Sequence, residues 1–135
     1  MEFSESCCWS GVQFRLNVSI ESTSENEQMI VLEAKSVDVS PDHFDDQARL
    51  SATLSRYPGE TKVKIRSLTA EPRHRGYGTE ILQRFMRLDA LRGCDVIWGA
   101  FSTQDTEEAA LAEFYRSNGF DVDVAAGEFI RRPVK

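Results

Sequence analysis

Residues 62–82 read KVKIRSLTAEPRHRGYGTEIL, and three patterns follow one another in that stretch. Residues 62–70 alternate as a strand, with Val63 and Ile65 on one phase and Leu68 and Ala70 on the other. A phase slip inside one strand is what a β-bulge produces, because one extra residue flips every side chain that follows. A strand end buried on both faces would read the same way. Pro72 and RHRGYG then break the alternation. From Ile81 onward, Ile81, Leu82, Phe85, Leu88 and Leu91 keep the 3.6-residue period of an amphipathic helix, with Gly93 as its stop. The order is strand, glycine loop, helix.

Towards the N-terminus, Pro58-Gly59 supplies a turn, proline fixing φ and glycine tolerating φ > 0. The residues before it, Ala48, Leu50, Ala52 and Leu54, alternate with Arg49, Ser51 and Thr53. That period of two outweighs the helix propensity of alanine, arginine and leucine, so the segment hairpins into the next strand. Residues 29–39, MIVLEAKSVDV, form another strand, with Ile30, Leu32 and Ala34 on one phase and Val37 and Val39 on the other. Residues 12–20 alternate without a break from Val12 to Ile20. The result is an antiparallel meander. The opening MEFSESCCWSG is acidic, lacks the basic and apolar regions of a signal peptide, and reads as a loose terminus.

Towards the C-terminus, CDVIWGAF (94–101) is the nearly continuous apolar run of a buried parallel strand, expected to pair with 62–70. Asp105 with Glu108 reads as a capping box opening a second helix, whose inner face carries Leu111, Phe114 and Tyr115 and which Asn118-Gly119 ends. FDVDV and EFIRRPV form a final strand pair. The expected fold is α+β: one domain over residues 1–135, a mixed sheet with an N-terminal antiparallel meander and two main helices packed on it.

Composition narrows the function classes. A hydrophobic fraction of 41% and a charged fraction of 28% are those of an ordinary globular domain. No apolar run approaches the ~20 residues of a membrane span, so a cytoplasmic protein without membrane partners is expected. A net charge of -6 disfavours nucleic acid as a partner and favours cationic ones. Arg84, Arg87 and Arg92 form a basic helix face, read as solvated. Cys7, Cys8 and Cys94 form no disulfide framework and complete no zinc spacing, and no metal is expected.

The glycine loop carries the chemistry. Glycines at a strand-to-helix turn let the backbone approach a ligand, and a helix N-terminus offers unpaired N–H groups with partial positive charge. That makes an anion site suited to phosphate, and Arg73 and Arg75 add full charges beside it. The loop has no Gly-Lys-Ser/Thr ending of a P-loop, and GYGTEI is not a dinucleotide G-x-G-x-x-G.

Arg73-x-x-Gly76-x-Gly78 resembles the (Gln/Arg)-x-x-Gly-x-(Gly/Ala) signature of the GNAT superfamily of acetyl-CoA-dependent N-acetyltransferases. SLTAEP before it resembles that family's strand end, and LAEFYRSNGF resembles its second motif, a helix with an aromatic pair closing on Gly-Phe. The resemblance covers roughly residues 48–135 and implies a small, N-terminally trimmed GNAT-like fold. It implies that the amides of Arg75, Gly76, Tyr77, Gly78 and Thr79, with Glu80, hold the pyrophosphate of acetyl-CoA, with Arg73 and Arg75 near the phosphates. Leu68, Thr69 and Ala70 would pair with the pantetheine arm, and Tyr115 would lie close to the cofactor sulfur. Tyr115, with an ordinary pKa near ~10, would then protonate the departing thiolate. Its other reading is a core aromatic beside Phe114.

No general base is evident: Glu71, Glu33, His43 and His74 each read more simply as surface residues. Where the family's second motif carries asparagine and alanine, this chain has Glu108 and Leu111. The two helices that usually wall the acceptor pocket are absent from the N-terminal half. The acceptor implied is an amine on a small molecule or a protein, and an open pocket suits a peptide, a protein surface or completion by a second subunit as a homodimer better than a small metabolite bound alone. The alternative is a non-catalytic module that binds or senses acetyl-CoA.

Overall fold

The computed structural model describes residues 1–37, 40–72, 75–101 and 108–132. Five long strands come first: β1 (Glu2–Trp9), β2 (Val12–Ser22), β3 (Glu27–Ser36), β4 (Gln47–Tyr57) and β5 (Glu60–Glu71). Then follow α1 (Tyr77–Met86), a 3-10 turn at Asp89–Leu91, β6 (Val96–Ala100), α2 (Glu108–Ser117), β7 (Asp121–Asp123) and β8 (Glu128–Arg131). All strands join one sheet in the order β1-β2-β3-β4-β5-β6-β8-β7. β1 to β5 form an antiparallel meander, β5 pairs with β6 in parallel, and β6-β8-β7 is antiparallel.

Strict alternation decides which face is buried. Phe14, Leu16, Ile30, Leu32, Leu50, Leu54 and Val63 are fully buried on one face. α1 lays Ile81, Leu82 and Phe85 over that core, and Arg84 Nε donates to Glu5 Oε1 at 2.6 Å, tying the helix to β1. α2 covers the other end of the same face, where Tyr115 stacks on Phe129 at 3.7 Å between ring centroids. No helix covers the opposite face among the described residues.

Several expectations need correcting. The α+β, GNAT-like architecture is overturned: strand holds 53% and helix 18%, in one eight-stranded mixed sheet with two α-helices among the described residues. A GNAT fold has a central sheet with flanking helices, and here the N-terminal 71 residues put their length into strands instead. The opening residues are not loose but form β1, paired with β2 from Glu2↔Ser19 to Trp9↔Val12. β3 stops at Ser36, Val37 is exposed, and Val39 lies outside the described residues. α1 ends at Met86; Leu88 and Leu91 remain buried but sit in and beside the 3-10 turn. The bulge in β5 is present, because Ser51 faces Ser67 while Ala52 faces Ile65, leaving Arg66 as the extra residue.

No described helix is long and apolar enough to cross a membrane.

Candidate functional site

The parallel ladder between β5 and β6 runs only from Lys62↔Val96 to Ile65↔Gly99. β5 continues to Glu71, paired with β4 on one edge, while the chain after β6 turns to β8, with the Phe101 amide donating to Gly127 O at 2.8 Å. The bulge at Arg66 falls where the two strands part. Beyond it Leu68, Thr69 and Ala70 present a backbone edge with no strand against it among the described residues. Such an edge is a template for an extended ligand.

The helix N-terminus opens at the end of this fork. Gly76 is the N-cap in the left-handed region (φ 83°), a conformation that only glycine adopts cheaply, and no side chain caps the helix. The Glu80 amide donates to Gly76 O at 3.1 Å, so Glu80 belongs to the helix ladder and the unpaired amides are those before it, at Tyr77, Gly78 and Thr79. At Gly78 an added Cβ would stand 3.4 Å from Phe114 Cε1 and 3.5 Å from Leu68 Cδ2. These are ordinary contact distances, and they place α1, α2 and the end of β5 side by side at Gly78.

Arg75 does not point as a free phosphate clamp. Its Nη1 lies 2.7 Å from His43 Nδ1 and 3.8 Å from Asp46 Oδ2. Asp46 is 5% exposed, the one buried charged side chain among the described residues, and it accepts the Tyr77 hydroxyl at 2.6 Å. His43 Nδ1 stands 3.1 Å from the same carboxylate oxygen. Ser10, in the β1-β2 turn, donates its hydroxyl to Arg75 O at 2.8 Å. The loop is thus held by two segments distant in sequence, the β1-β2 turn at Ser10 and the His43–Asp46 stretch. Burial and the hydrogen bond to Asp46 push the Tyr77 hydroxyl above its ordinary range, which keeps it a donor. Arg73 lies outside the described residues, as do His74 and the Asp105 end of the capping box.

Removing the Tyr77 hydroxyl should expose this dependence. Tyr77→Phe leaves a buried carboxylate short of one donor, and we expect a loss of about 1–3 kcal/mol of unfolding free energy. Urea titration with an unchanged m-value checks it; a variant as stable as the parent would show that Asp46 is satisfied without Tyr77.

Tyr115 is 6% exposed and lies among Phe114, Phe120 and Phe129. Of the aromatic pair, Phe114 is the ring that reaches Gly78 and Leu68; Tyr115 lies one ring further back, over β8. Burial alone pushes its phenol up to about 12, so it is neutral and able to donate at physiological pH. Glu33 lies on the bare face with Lys35 Nζ at 3.3 Å and Arg49 Nε at 3.5 Å. Cys7 is half-buried on β1; burial and the Glu5 carboxylate push its thiol up, which disfavours the reactive thiolate. Among the described residues no group of three His, Cys, Asp or Glu side chains converges as a metal-ligand set.

No family model and no curated protein matches the chain. Sequence reasoning singled out the loop but missed Ser10 and Asp46, and weighed His43 only as a base. Nothing in PDHFDDQ distinguishes Asp46 from Asp42 or Asp45; only the fold brings it under Tyr77.

Proposed function

We propose that the protein is an acetyl-CoA-dependent N-acetyltransferase of the cytoplasm, acting on a primary amine. The observation that carries this reading is the fork: a bulged strand end with an unpartnered backbone edge that leads directly to an uncapped helix N-terminus. A ligand with an amide-bearing arm at one end and a pyrophosphate at the other fits both features at once. The arm would pair with Leu68, Thr69 and Ala70, and the pyrophosphate would take the amides from Gly76 to Thr79. Arg75, held by His43 and Asp46, orients the loop and adds positive potential beside it. Tyr115 donates a hydrogen bond from its hydroxyl to the departing sulfur, and the proton that the attacking amine loses as the amide forms reaches that sulfur through solvent. The supporting sequence features are the two motif resemblances, not the overall architecture.

A second reading, a non-catalytic module that binds acetyl-CoA, is favoured by Glu108 and Leu111, which stand where the family's second motif carries asparagine and alanine. Thiol release measured across a panel of amines separates the two.

Binding itself is tested by calorimetry on Thr79→Glu. A carboxylate in the first turn complements the helix dipole and leaves the fold intact, yet it places negative charge where phosphate would sit. Gly76 and Gly78 serve less well as test positions, because φ and packing confound them. We expect acetyl-CoA to bind the wild type and affinity to fall at least ~10-fold in Thr79→Glu, about 1.4 kcal/mol or more. A wild type that ignores millimolar acetyl-CoA would overturn the proposal.

A further inference from the structure

The two edges of the sheet are built differently. β7 is three residues long and carries Asp121 and Asp123, a short charged edge of the kind that resists further pairing. β1 runs for eight residues, EFSESCCW, in unbroken register with β2, and it holds no lysine, arginine or proline. Met1 and Ile20 exchange both backbone hydrogen bonds, each at 2.8 Å, so the odd-numbered residues of β1 bond inward to β2. The amides and carbonyls of Glu2, Ser4, Ser6 and Cys8 therefore point out of the sheet. Among the described residues no backbone hydrogen bond reaches them there.

The order of residues along this edge is nearly palindromic about Glu5. Ser4 and Ser6 lie one step to either side, Phe3 and Cys7 two steps, Met1 and Trp9 four steps. Glu2 and Cys8, three steps out, are the unlike pair. The odd-numbered residues share the face that the helices cover, since Phe3, Cys7 and Trp9 stand opposite the buried Val18, Phe14 and Val12. At the open edge that stripe is incompletely covered: Met1 is 73% exposed and Phe3 38%.

We propose that β1 pairs antiparallel with β1 of a second copy, about a two-fold axis through Glu5 and perpendicular to the sheet. Such an axis sets Ser4 against the second copy's Ser6, Phe3 against its Cys7 and Met1 against its Trp9. The palindrome selects a second copy as the occupant, because a strand of the same order matches hydroxyl with hydroxyl and apolar with apolar. All four outward residues fall in hydrogen-bonded pairs, giving about eight bonds between the chains. An axis on Ser4 or on Ser6 would leave Cys8 or Glu2 without a strand partner. The pairing is isologous, as closed symmetry requires.

At the axis the two Glu5 carboxylates face one another, which alone opposes association. Each is already held by Arg84 Nε at 2.6 Å, and a guanidinium has further N–H donors to offer the opposite carboxylate. Two carboxylates and two guanidiniums then balance across the axis. The contact is mainly strand edge and smaller than a standard specific interface, so dimers are expected at roughly tens to hundreds of micromolar.

Sedimentation equilibrium of the full chain from about 10 μM to about 1 mM tests this, and a monomer–dimer equilibrium is expected. Ser6→Pro removes an outward N–H while leaving the β1-β2 bonds in place, so this variant should be monomeric. Should it lose its far-UV circular dichroism, Phe3→Lys, which puts a charge on the exposed stripe, should weaken association at least ~10-fold instead. Disulfide trapping reads the register. In a Cys7→Ala/Cys8→Ser background, an equimolar mixture of Ser4→Cys and Ser6→Cys proteins should crosslink under diamide, because paired Cα atoms about 5.5 Å apart suit a disulfide. Neither protein should crosslink alone. A wild type monomeric at about 1 mM overturns the proposal, even one that captures another extended peptide. So does a folded Ser6→Pro or a Phe3→Lys protein that dimerises like the wild type. A mixture that fails to crosslink, or a single variant that crosslinks as readily as the mixture, overturns it too.

Discussion

Gly99→Ala is expected to destabilise the protein by about 3 kcal/mol, more than its single added methyl suggests. A Cβ at residue 99 would stand 2.3 Å from Phe129 Cζ, 2.9 Å from Phe129 Cε2 and 3.0 Å from Ile65 O. Neither neighbour can yield freely. The Ile65 carbonyl belongs to the last rung of the β5-β6 ladder, and the Phe129 ring is held by Tyr115 at 3.7 Å, Phe120 at 5.6 Å and Phe101 at 6.4 Å between centroids. Overpacking of this kind costs ~1–3 kcal/mol, and the absence of a relaxation path puts this site at the upper end. Urea unfolding measures it, and the double variant Gly99→Ala/Phe129→Leu should recover much of the loss through a coupling of ~1 kcal/mol or more. An alanine variant with native stability would mean that the ring moves aside, and that the fork is softer than its aromatic lining implies.

That glycine shows where sequence reading stops. CDVIWGAF was legible as a buried parallel strand because nearly every residue is apolar, and its partner strand was legible from alternation. Gly99's own reason, room for a ring that arrives from β8, is a tertiary fact with no local signature. The same holds for Asp46, which is one of four acidic residues between Asp38 and Asp46 until the fold sets Tyr77 over it.

β1 failed for a different reason. EFSESCCW alternates, but Glu5 and Cys7 hold positions on the phase of Phe3 and Trp9, so the apolar contrast that marks β2 is missing. An edge strand half open to solvent does not need that contrast. α1 was read too long because Leu88 and Leu91 keep the helical period while packing from a 3-10 turn, and periodicity registers burial more directly than backbone geometry. The fold class failed at the largest scale. Motifs within 62–82 and 111–120 specify a local strand-loop-helix arrangement and a helix end, and neither dictates how many helices cover a sheet or on which face. The strand-loop-helix order is therefore observed while the GNAT-like architecture is not.

Tyr115→Phe should separate chemistry from packing at a buried candidate. The ring stays, so the stack on Phe129 and the edge contacts with Phe114 and Phe120 are kept. If the hydroxyl serves the departing sulfur, acetyl-CoA affinity should hold within about twofold while kcat falls about 10²-fold or more. The raised phenol shapes how it can act. A thiol ionises near ~8.5, so full proton transfer from a phenol at about 12 is uphill by about 3.5 pH units even once the thiolate has formed. Tyr115 therefore acts through a hydrogen bond to the sulfur that strengthens as the carbon–sulfur bond breaks. The same hydroxyl leaves a mark on stability that needs no substrate. Its pKa rises from 10.0 to about 12 on folding, so its neutral form stabilises the fold fully below pH ~10. That contribution is lost at up to ~1.4 kcal/mol per pH unit as pH climbs towards 12. The Tyr115→Phe protein should accordingly resist unfolding at pH 11–12 better than the wild type, with no such advantage at pH 7. Retained kcat in the variant, with acetyl transfer shown to be rate-limiting, would return Tyr115 to the aromatic core. The alkaline advantage would then persist, because it depends on burial alone.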